Sequence, residues 1–217
     1  MKAIGLFVAG TDTGVGKTWC TVGLVAHLRA LGRTAVAMKP VECGGREDSL
    51  ALRLACGGDA APPLDEINPY SLPDPLAPAS MRPPPQIDFA RILAAYRGLA
   101  ADGEIVLVEG AGGWLVPLDR ERTMADLAAA LGLPVLVVAA NRLGVLNHTL
   151  LTVRAIRAAG LECRGVFLND LPGAPGASTD ADPSRRSNAR VLRDLLPGLD
   201  VFERDPAQVA ALFPRGS

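Results

Sequence analysis

Lysine is almost missing from this chain. It stands only at Lys2, Lys17 and Lys39, and arginine carries the rest of the basic charge. A chain that otherwise uses Arg has kept Lys where a compact ammonium is needed, because the planar guanidinium fork cannot act as a point charge in a tight loop. Lys2 reads as a solvated terminal side chain, which singles out Lys17 and Lys39. Aromatic residues make up only 4% of the chain, too few for a base-stacking surface. The net charge of −1 offers neither a nucleic-acid footprint nor a polybasic membrane patch. Apolar runs stop at strand length and no leader pattern is visible, so the expectation is a cytoplasmic protein without a membrane span. Cys20, Cys43, Cys56 and Cys163 include no Cys-x-x-Cys pair, so neither a zinc site nor a disulfide framework follows. His27 falls inside the first helical pattern, and His148 lacks a second ligand at metal-binding spacing.

The sequence's length of 217 residues suits one compact domain, expected over 1–213; the tail 214–217 reads as the remnant of a protease site and is set aside. Its most informative stretch is Gly10-Thr11-Asp12-Thr13-Gly14-Val15-Gly16-Lys17-Thr18. An apolar run, Ile4 to Ala9, precedes it, and helical spacing follows from Thr18 to Leu31. Strand, glycine-rich turn and helix start are the parts of a phosphate cradle, in which backbone N–H groups and the positive helix end converge on phosphate oxygens. Thr13, Gly14, Val15 and Gly16 would line it, Lys17 would reach the β- and γ-phosphates, and the Thr18 hydroxyl would hold Mg²⁺. The usual spacing puts the first glycine at Thr11; here it is Gly10, so the loop is a lengthened variant.

Further buried-strand patterns cover Thr34–Met38, Ile105–Val108, Pro134–Ala140 and Cys163–Leu168, with a short strand near the C-terminus. Helical patterns lie between them at Asp48–Cys56, Ile87–Ala101, Met124–Leu131 (Thr123 as N-cap), Leu146–Ala159 and Ser187–Leu196. Pro62–Pro85 reads as an ordered but irregular excursion, and 171–183 as a mobile loop. Strands apolar on both faces and alternating with helices predict an α/β fold: a parallel sheet of about seven strands, of nucleotide-loop NTPase type, with helices on both faces. Right-handed crossovers gather the strand C-terminal ends at one edge, where open α/β sheets bind ligands. That edge collects Gly10–Thr18, Lys39, Glu109–Gly113, Asn141–Asn147 and Asn169-Asp170.

Glu109 closes a buried strand before four small residues, a place with few structural excuses for an acid. With Thr18 and Asp48 it would offer Mg²⁺ hard oxygen ligands. Asp48 reads equally as a helix-start acid favoured by the macrodipole. Gly110-Ala111-Gly112-Gly113 reads either as an anion-binding backbone or as a tight turn. Gly144, at the start of a helix, reads either as a carboxylate site or as simple helix initiation.

Taken together, the loop, Lys39-Pro40-Val41, Asn68-Pro69-Tyr70, Val108-Glu109-Gly110-Ala111-Gly112-Gly113 and Leu143-Gly144-x-x-Asn147-His148 resemble the dethiobiotin synthetases in order and spacing, from residue 1 to about residue 170. The lengthened loop is the form that family uses. The resemblance implies that 7,8-diaminopelargonate, CO₂ and ATP give dethiobiotin, ADP and phosphate, through a carbamate and a carbamic–phosphoric anhydride. It implies that Lys17 and Lys39 neutralise charge developing between γ-phosphate and carbamate, and that Thr18, Asp48 and Glu109 hold Mg²⁺. Gly110, Ala111 and Gly112 would give backbone donors, and Asn169, with Asp170 beside it, would read the adenine edge. Thr11 and Cys43 would face the diamine, and Gly144, Val145, Leu146 and Asn147, from the second subunit of a homodimer, would grip its distal carboxylate. The chain departs from the family at Gly14, where some members carry an acid, and at Cys43, where Ser or Thr is usual; a thiol is the weaker hydrogen-bond partner. The competing readings are a cobyrinate-type amidoligase relative and a nucleotide switch. The first usually carries a glutaminase domain for which 217 residues leave no room. The second needs an early loop lysine where Thr11 stands, or a Lys-containing guanine motif, and no lysine follows Lys39.

Overall fold

A computed structural model describes residues 3–170 and 182–214. Lys2, residues 215–217 and all of the 171–183 loop except Asp182 and Pro183 lie outside the described residues. The elements run β1 (Ile4–Gly10), α1 (Lys17–Ala30), β2 (Ala35–Met38), β3 (Val41–Cys43), α2 (Glu47–Ala55), α3 (Leu64–Ile67), β4 (Tyr70–Leu72), α4 (Phe89–Asp102), β5 (Ile105–Gly113), α5 (Met124–Leu131), β6 (Val135–Ala140), α6 (Val145–Ala158), β7 (Cys163–Asn169), α7 (Asn188–Leu195) and β8 (Asp200–Glu203). Six strands form one sheet in the order β2-β5-β1-β6-β7-β8, every pair parallel.

β6 is buried at every position and β1 from Leu6 onward, as a sheet covered on both faces requires. Helix α1 turns Cys20, Leu24, Val25 and Leu28 inward. Helix α5 begins where Thr123 and Asp126 cap one another's backbone, so the expected N-cap is present in full. Among the described residues no helix is long and apolar enough to cross a membrane.

The expected count of about seven strands is corrected to six in the main sheet, with β3 and β4 paired in a separate two-stranded ribbon. The chain leaves the main sheet at Lys39-Pro40, where proline has no N–H for a ladder. Strand β3 then finds its partner in the proline-rich excursion. At three residues each, these strands are too short to show periodicity. A second correction concerns β5, which continues through Gly113 instead of stopping at Val108. Its register against β1 shifts between the pairs Val8↔Glu109 and Gly10↔Gly113, so β5 spends two more residues than β1 there. Gly112, at φ 62°, takes the left-handed turn that such a bulge demands. The glycines serve a bulged strand end, not a free turn.

Register explains the chemistry at the rim. Met38 pairs with Val108, so one step further on Lys39 stands beside Glu109. Val8 pairs with Glu109 on the other side, just before β1 opens into the glycine loop. Ala140 pairs with Asn169, which brings Asn141 and Asp170 together further along.

Candidate functional site

A cavity of about 440 Å³ opens at this rim. Of the expected site residues, Thr13, Gly14, Gly16, Lys17, Thr18, Lys39, Cys43, Asp48, Ala111 and Gly112 line it. Leu76, Ala77 and Pro78 of the proline-rich excursion close one wall, and Val116 and Glu42 contribute to others. Both lysines that composition singled out therefore face one space.

Beneath the cavity lies a compact charge cluster. Glu109 is fully buried, and its Oε1 accepts from Lys39 Nζ at 2.6 Å and from the Thr18 hydroxyl at 2.7 Å. Lys39, 4% exposed, also donates to Asp48 Oδ2. Burial alone would push the Lys39 ammonium down, but the Glu109 and Asp48 carboxylates outweigh it and hold it above the ordinary lysine value. Asp48 is its counterpart: partial burial pushes its carboxyl up, yet Lys39, with help from Thr18 and Lys17, brings it below the usual range. Lys17 behaves differently. Its Nζ donates to the Asp12 carbonyl at 3.2 Å and has no carboxylate in contact among the described residues. Burial dominates and, with repulsion from Lys39, overrides the pull of Glu109 and Asp48, lowering its pKa to about 8. An under-compensated cation aimed into a phosphate-sized space favours an anionic ligand.

The second carboxylate oxygen, Glu109 Oε2, is buried with no hydrogen-bond partner. A buried acceptor left this way requires an explanation. A small hard cation supplies one, since Mg²⁺ takes oxygen ligands from one or two carboxylates and fills its other positions with water and phosphate. Thr18, Asp48 and Glu109 make such a donor set. Among the described residues no three His, Cys, Asp or Glu side chains gather as a metal cluster.

Gly10 shows how closely the loop is drawn. A Cβ there would meet the Asp12 carbonyl at 2.7 Å, the Gly112 carbonyl at 2.9 Å and Lys17 Nζ at 2.9 Å. Gly10→Ala is expected to cost about 1–3 kcal/mol of stability, because two of those neighbours are backbone and cannot yield cheaply. By displacing Lys17 it should also weaken binding of a phosphate-bearing ligand about tenfold or more, the worth of a charge-assisted hydrogen bond. Urea unfolding and calorimetric titration with a nucleotide read the two effects separately.

Other expected residues lie away from the cavity lining. Val15 is buried in the core, and its carbonyl accepts from Asn169 Nδ2 at 3.0 Å. Asn169 thus braces the phosphate loop from the neighbouring part of the sheet. Asp170 Oδ1 accepts from Asn141 Nδ2 at 2.9 Å and faces Arg185 at 3.4 Å. Gly110 is buried, and a Cβ there would press on the Phe7 and Met124 side chains. Thr11 donates its N–H to the Val138 carbonyl, prolonging the β1–β6 pairing. The segment Gly144–Asn147 opens α6 outside this cavity; the Val145 side chain is buried and its N–H serves the Arg142 carbonyl. Just before it, the Leu143 N–H donates to Asp182 Oδ2 at 2.8 Å.

Two supporting residues were not assigned roles from sequence. Asn68 is fully buried and donates from Nδ2 to the Lys39 carbonyl at 2.8 Å and the Tyr70 carbonyl at 3.1 Å. Glu42 is buried beside the cavity and bonds the start of α2. Asn68 stood in the sequence only as part of the Asn68-Pro69-Tyr70 motif and Glu42 only as an acid in a short apolar run, and neither signal says what the side chain touches.

A family model described as "AAA domain" matches residues 4–202. A relative from Anaeromyxobacter sp. (strain Fw109-5), named ATP-dependent dethiobiotin synthetase BioD, is 48% identical over 209 residues, spanning 92% of this chain and 93% of that protein. Another of that name, from Aromatoleum aromaticum, is 43% identical over 216 residues, covering 94% of each chain. Among solved structures, the MinC:MinD cell division complex of Aquifex aeolicus matches at TM-score 0.58 and 15% identity, covering 95% of this chain and 84% of that one. MinD of Pyrococcus horikoshii, complexed with Mg-ADP, matches at TM-score 0.57 and 18% identity, covering 95% and 83%. At such identities the two structures speak for the fold alone.

Proposed function

The chain belongs to the ATP-dependent dethiobiotin synthetase family, and from that premise we propose how its residues carry out the ligation. One amine of 7,8-diaminopelargonate adds to CO₂, forming an N–C bond and losing a proton to give a carbamate. A carbamate oxygen then attacks the γ-phosphorus of ATP, and the bond to ADP breaks. The second amine attacks the resulting anhydride at carbon, closing the five-membered ring as phosphate departs. Each stage brings anions together, so the work is positioning and charge neutralisation more than proton transfer.

The observation that carries this reading is the shared use of one buried oxygen. Glu109 Oε1 binds both Lys39 Nζ and the Thr18 hydroxyl, while Lys17 faces the same cavity. Lys17 and the loop backbone from Thr13 to Thr18 bind the phosphates. Lys39 and Cys43 line the same cavity as the phosphate loop, and on this reading the carbamate lies beside Lys39. Thr18, Asp48 and Glu109 would hold Mg²⁺, which when bound would supply positive charge to the phosphate oxygens. Ala111 and Gly112 add backbone donors on the far wall. Asn169, whose Nδ2 is committed to Val15, has its carbonyl oxygen to accept from the adenine amino group.

The substrate's distal carboxylate falls to Gly144, Leu146 and Asn147 of a second copy, because in one chain this helix start lies outside the cavity. Leu143 beside it is 81% exposed, an apolar side chain placed to be covered in a homodimer. Leu143→Glu should yield a monomer by sedimentation, with the KM for the diamine raised at least tenfold and ATP binding unchanged. A dimer of wild-type stability in that variant would remove this face from the interface.

The direct test is phosphate release from ATP, with and without diaminopelargonate and bicarbonate. Release that needs both substrates is expected. Release independent of the diamine would instead point to a nucleotide switch, the activity class in which hydrolysis is not coupled to ligation.

A further inference from the structure

Helix α2 starts without a cap of its own. Arg46, at the N-cap position, makes no capping hydrogen bond, so the first N–H groups of the helix need acceptors from elsewhere. They find one in Glu42, on β3. One carboxylate oxygen accepts from the Asp48 N–H at 2.9 Å, and the other from the Ser49 N–H at 3.0 Å and from the Ser49 hydroxyl. Glu42 is only 5% exposed, and charged acceptors bonding a helix start in a dry setting are strong.

What makes this cap informative is the residue it grips. Asp48, held by its backbone, is the one whose carboxylate meets Lys39 Nζ and lines the cavity with Thr18. Lys39 is itself fixed at its carbonyl by Asn68. The chain from Lys39 through β3 to α2 therefore closes on itself: Asn68 holds the Lys39 backbone, Lys39 holds the Asp48 carboxylate, and Glu42 holds the Asp48 backbone.

We propose that Glu42 is a positioning residue for the divalent cation, acting through Asp48 by locking the start of α2 against β3. Glu42 lines the cavity, but both its carboxylate oxygens are committed to the start of α2, so it acts on the cation site through Asp48. Its carboxylate fixes where the Asp48 oxygens stand relative to Thr18 and Glu109. The inference rests on reading Thr18, Asp48 and Glu109 as the metal ligands.

The test measures Mn²⁺ binding to the ADP complex of the full chain by electron paramagnetic resonance, alongside the Mg²⁺ dependence of turnover. Glu42→Ala should raise the Mn²⁺ dissociation constant about tenfold and shift the Mg²⁺ requirement equally, with kcat at saturating Mg²⁺ within about threefold of wild type. Glu42→Gln should recover part of the loss, since its Oε1 still accepts from Asp48 and its amide can donate to the Ser49 hydroxyl, although the Ser49 N–H loses its acceptor. Thr123→Ala, which removes the cap of the distant helix α5, controls for general destabilisation: it should lower the melting temperature and leave Mn²⁺ binding alone. An unchanged Mn²⁺ constant in Glu42→Ala, or an equal change in Thr123→Ala, overturns the proposal. Asp48→Asn separates the two readings. If it too leaves Mn²⁺ binding unchanged, the assignment of the metal ligands falls, and the role of Glu42 with it.

Discussion

Lys39→Arg is expected to leave the fold and ATP affinity nearly intact and to lower kcat about 10²–10³-fold, the usual cost of losing one preorganised electrostatic group. The cause is geometric. Lys39 threads between β2 and β3 to place a single nitrogen against both Glu109 and Asp48, at 2.6 Å from the first, in a setting 4% exposed. A guanidinium is wider, spreads its charge over a plane and favours two-point contacts, so it cannot present that charge at the same place. Lys39→Met tests the other half of the argument. It removes the charge and leaves Glu109 buried without its cation, and breaking a buried pair in this way costs about 3–5 kcal/mol. Urea unfolding should show that loss in the Met variant and little in the Arg variant, while single-turnover phosphate release shows both to be slow. Near-normal turnover in Lys39→Arg would take Lys39 out of the mechanism.

Glu109→Gln should be comparably damaging for a different reason. The substitution keeps shape and volume but removes a fully buried carboxylate at the rim, the one serving Lys39 and Thr18 through Oε1 with Oε2 unpartnered. A neutral amide is a poorer ligand for a hard dication and puts an N–H₂ group where an acceptor is needed. We expect kcat/KM to fall about 10³-fold, and the Mg²⁺ concentration for half-maximal rate to rise sharply. Initial rates over a wide Mg²⁺ range decide it. A wild-type Mg²⁺ profile with a reduced plateau would place Glu109 in Lys39 orientation alone. The Arg and Gln variants are close enough to couple, so their double mutant should lose much less than the product of the two effects.

The nucleotide loop was legible because its signal is local. Glycines at a strand-to-helix junction, then Lys17 and Thr18, describe a backbone path and a helix start within nine residues. The six longer helices, too, were placed within about two residues, since apolar spacing and caps such as Thr123 act over one or two turns, whereas the four-residue α3, inside the excursion read as irregular, was not seen. Lys39 was reachable for an unusual reason, the near-absence of lysine elsewhere. The small β3–β4 ribbon, the bulge at Gly110–Gly112 and the roles of Glu42 and Asn68 were not legible. Each depends on a partner brought in from another part of the chain: Glu42 reads as a polar residue in a short apolar run until α2 lies across it.

By itself, then, the order of residues settled the alternation of buried strands and helices, the phosphate cradle, the two retained ammonium groups and the family to which the motifs belong. These follow from backbone preferences and periodicity within short windows. Only the tertiary structure decided that Lys39 pairs with Glu109, 70 residues away in sequence, and that one oxygen of that acid also takes the Thr18 hydroxyl. The reason is that β5 lies between β2 and β1. Strand neighbours in a parallel sheet are chosen by how distant apolar faces are buried together, and a Coulomb pair at hydrogen-bond distance exists only after that choice is made.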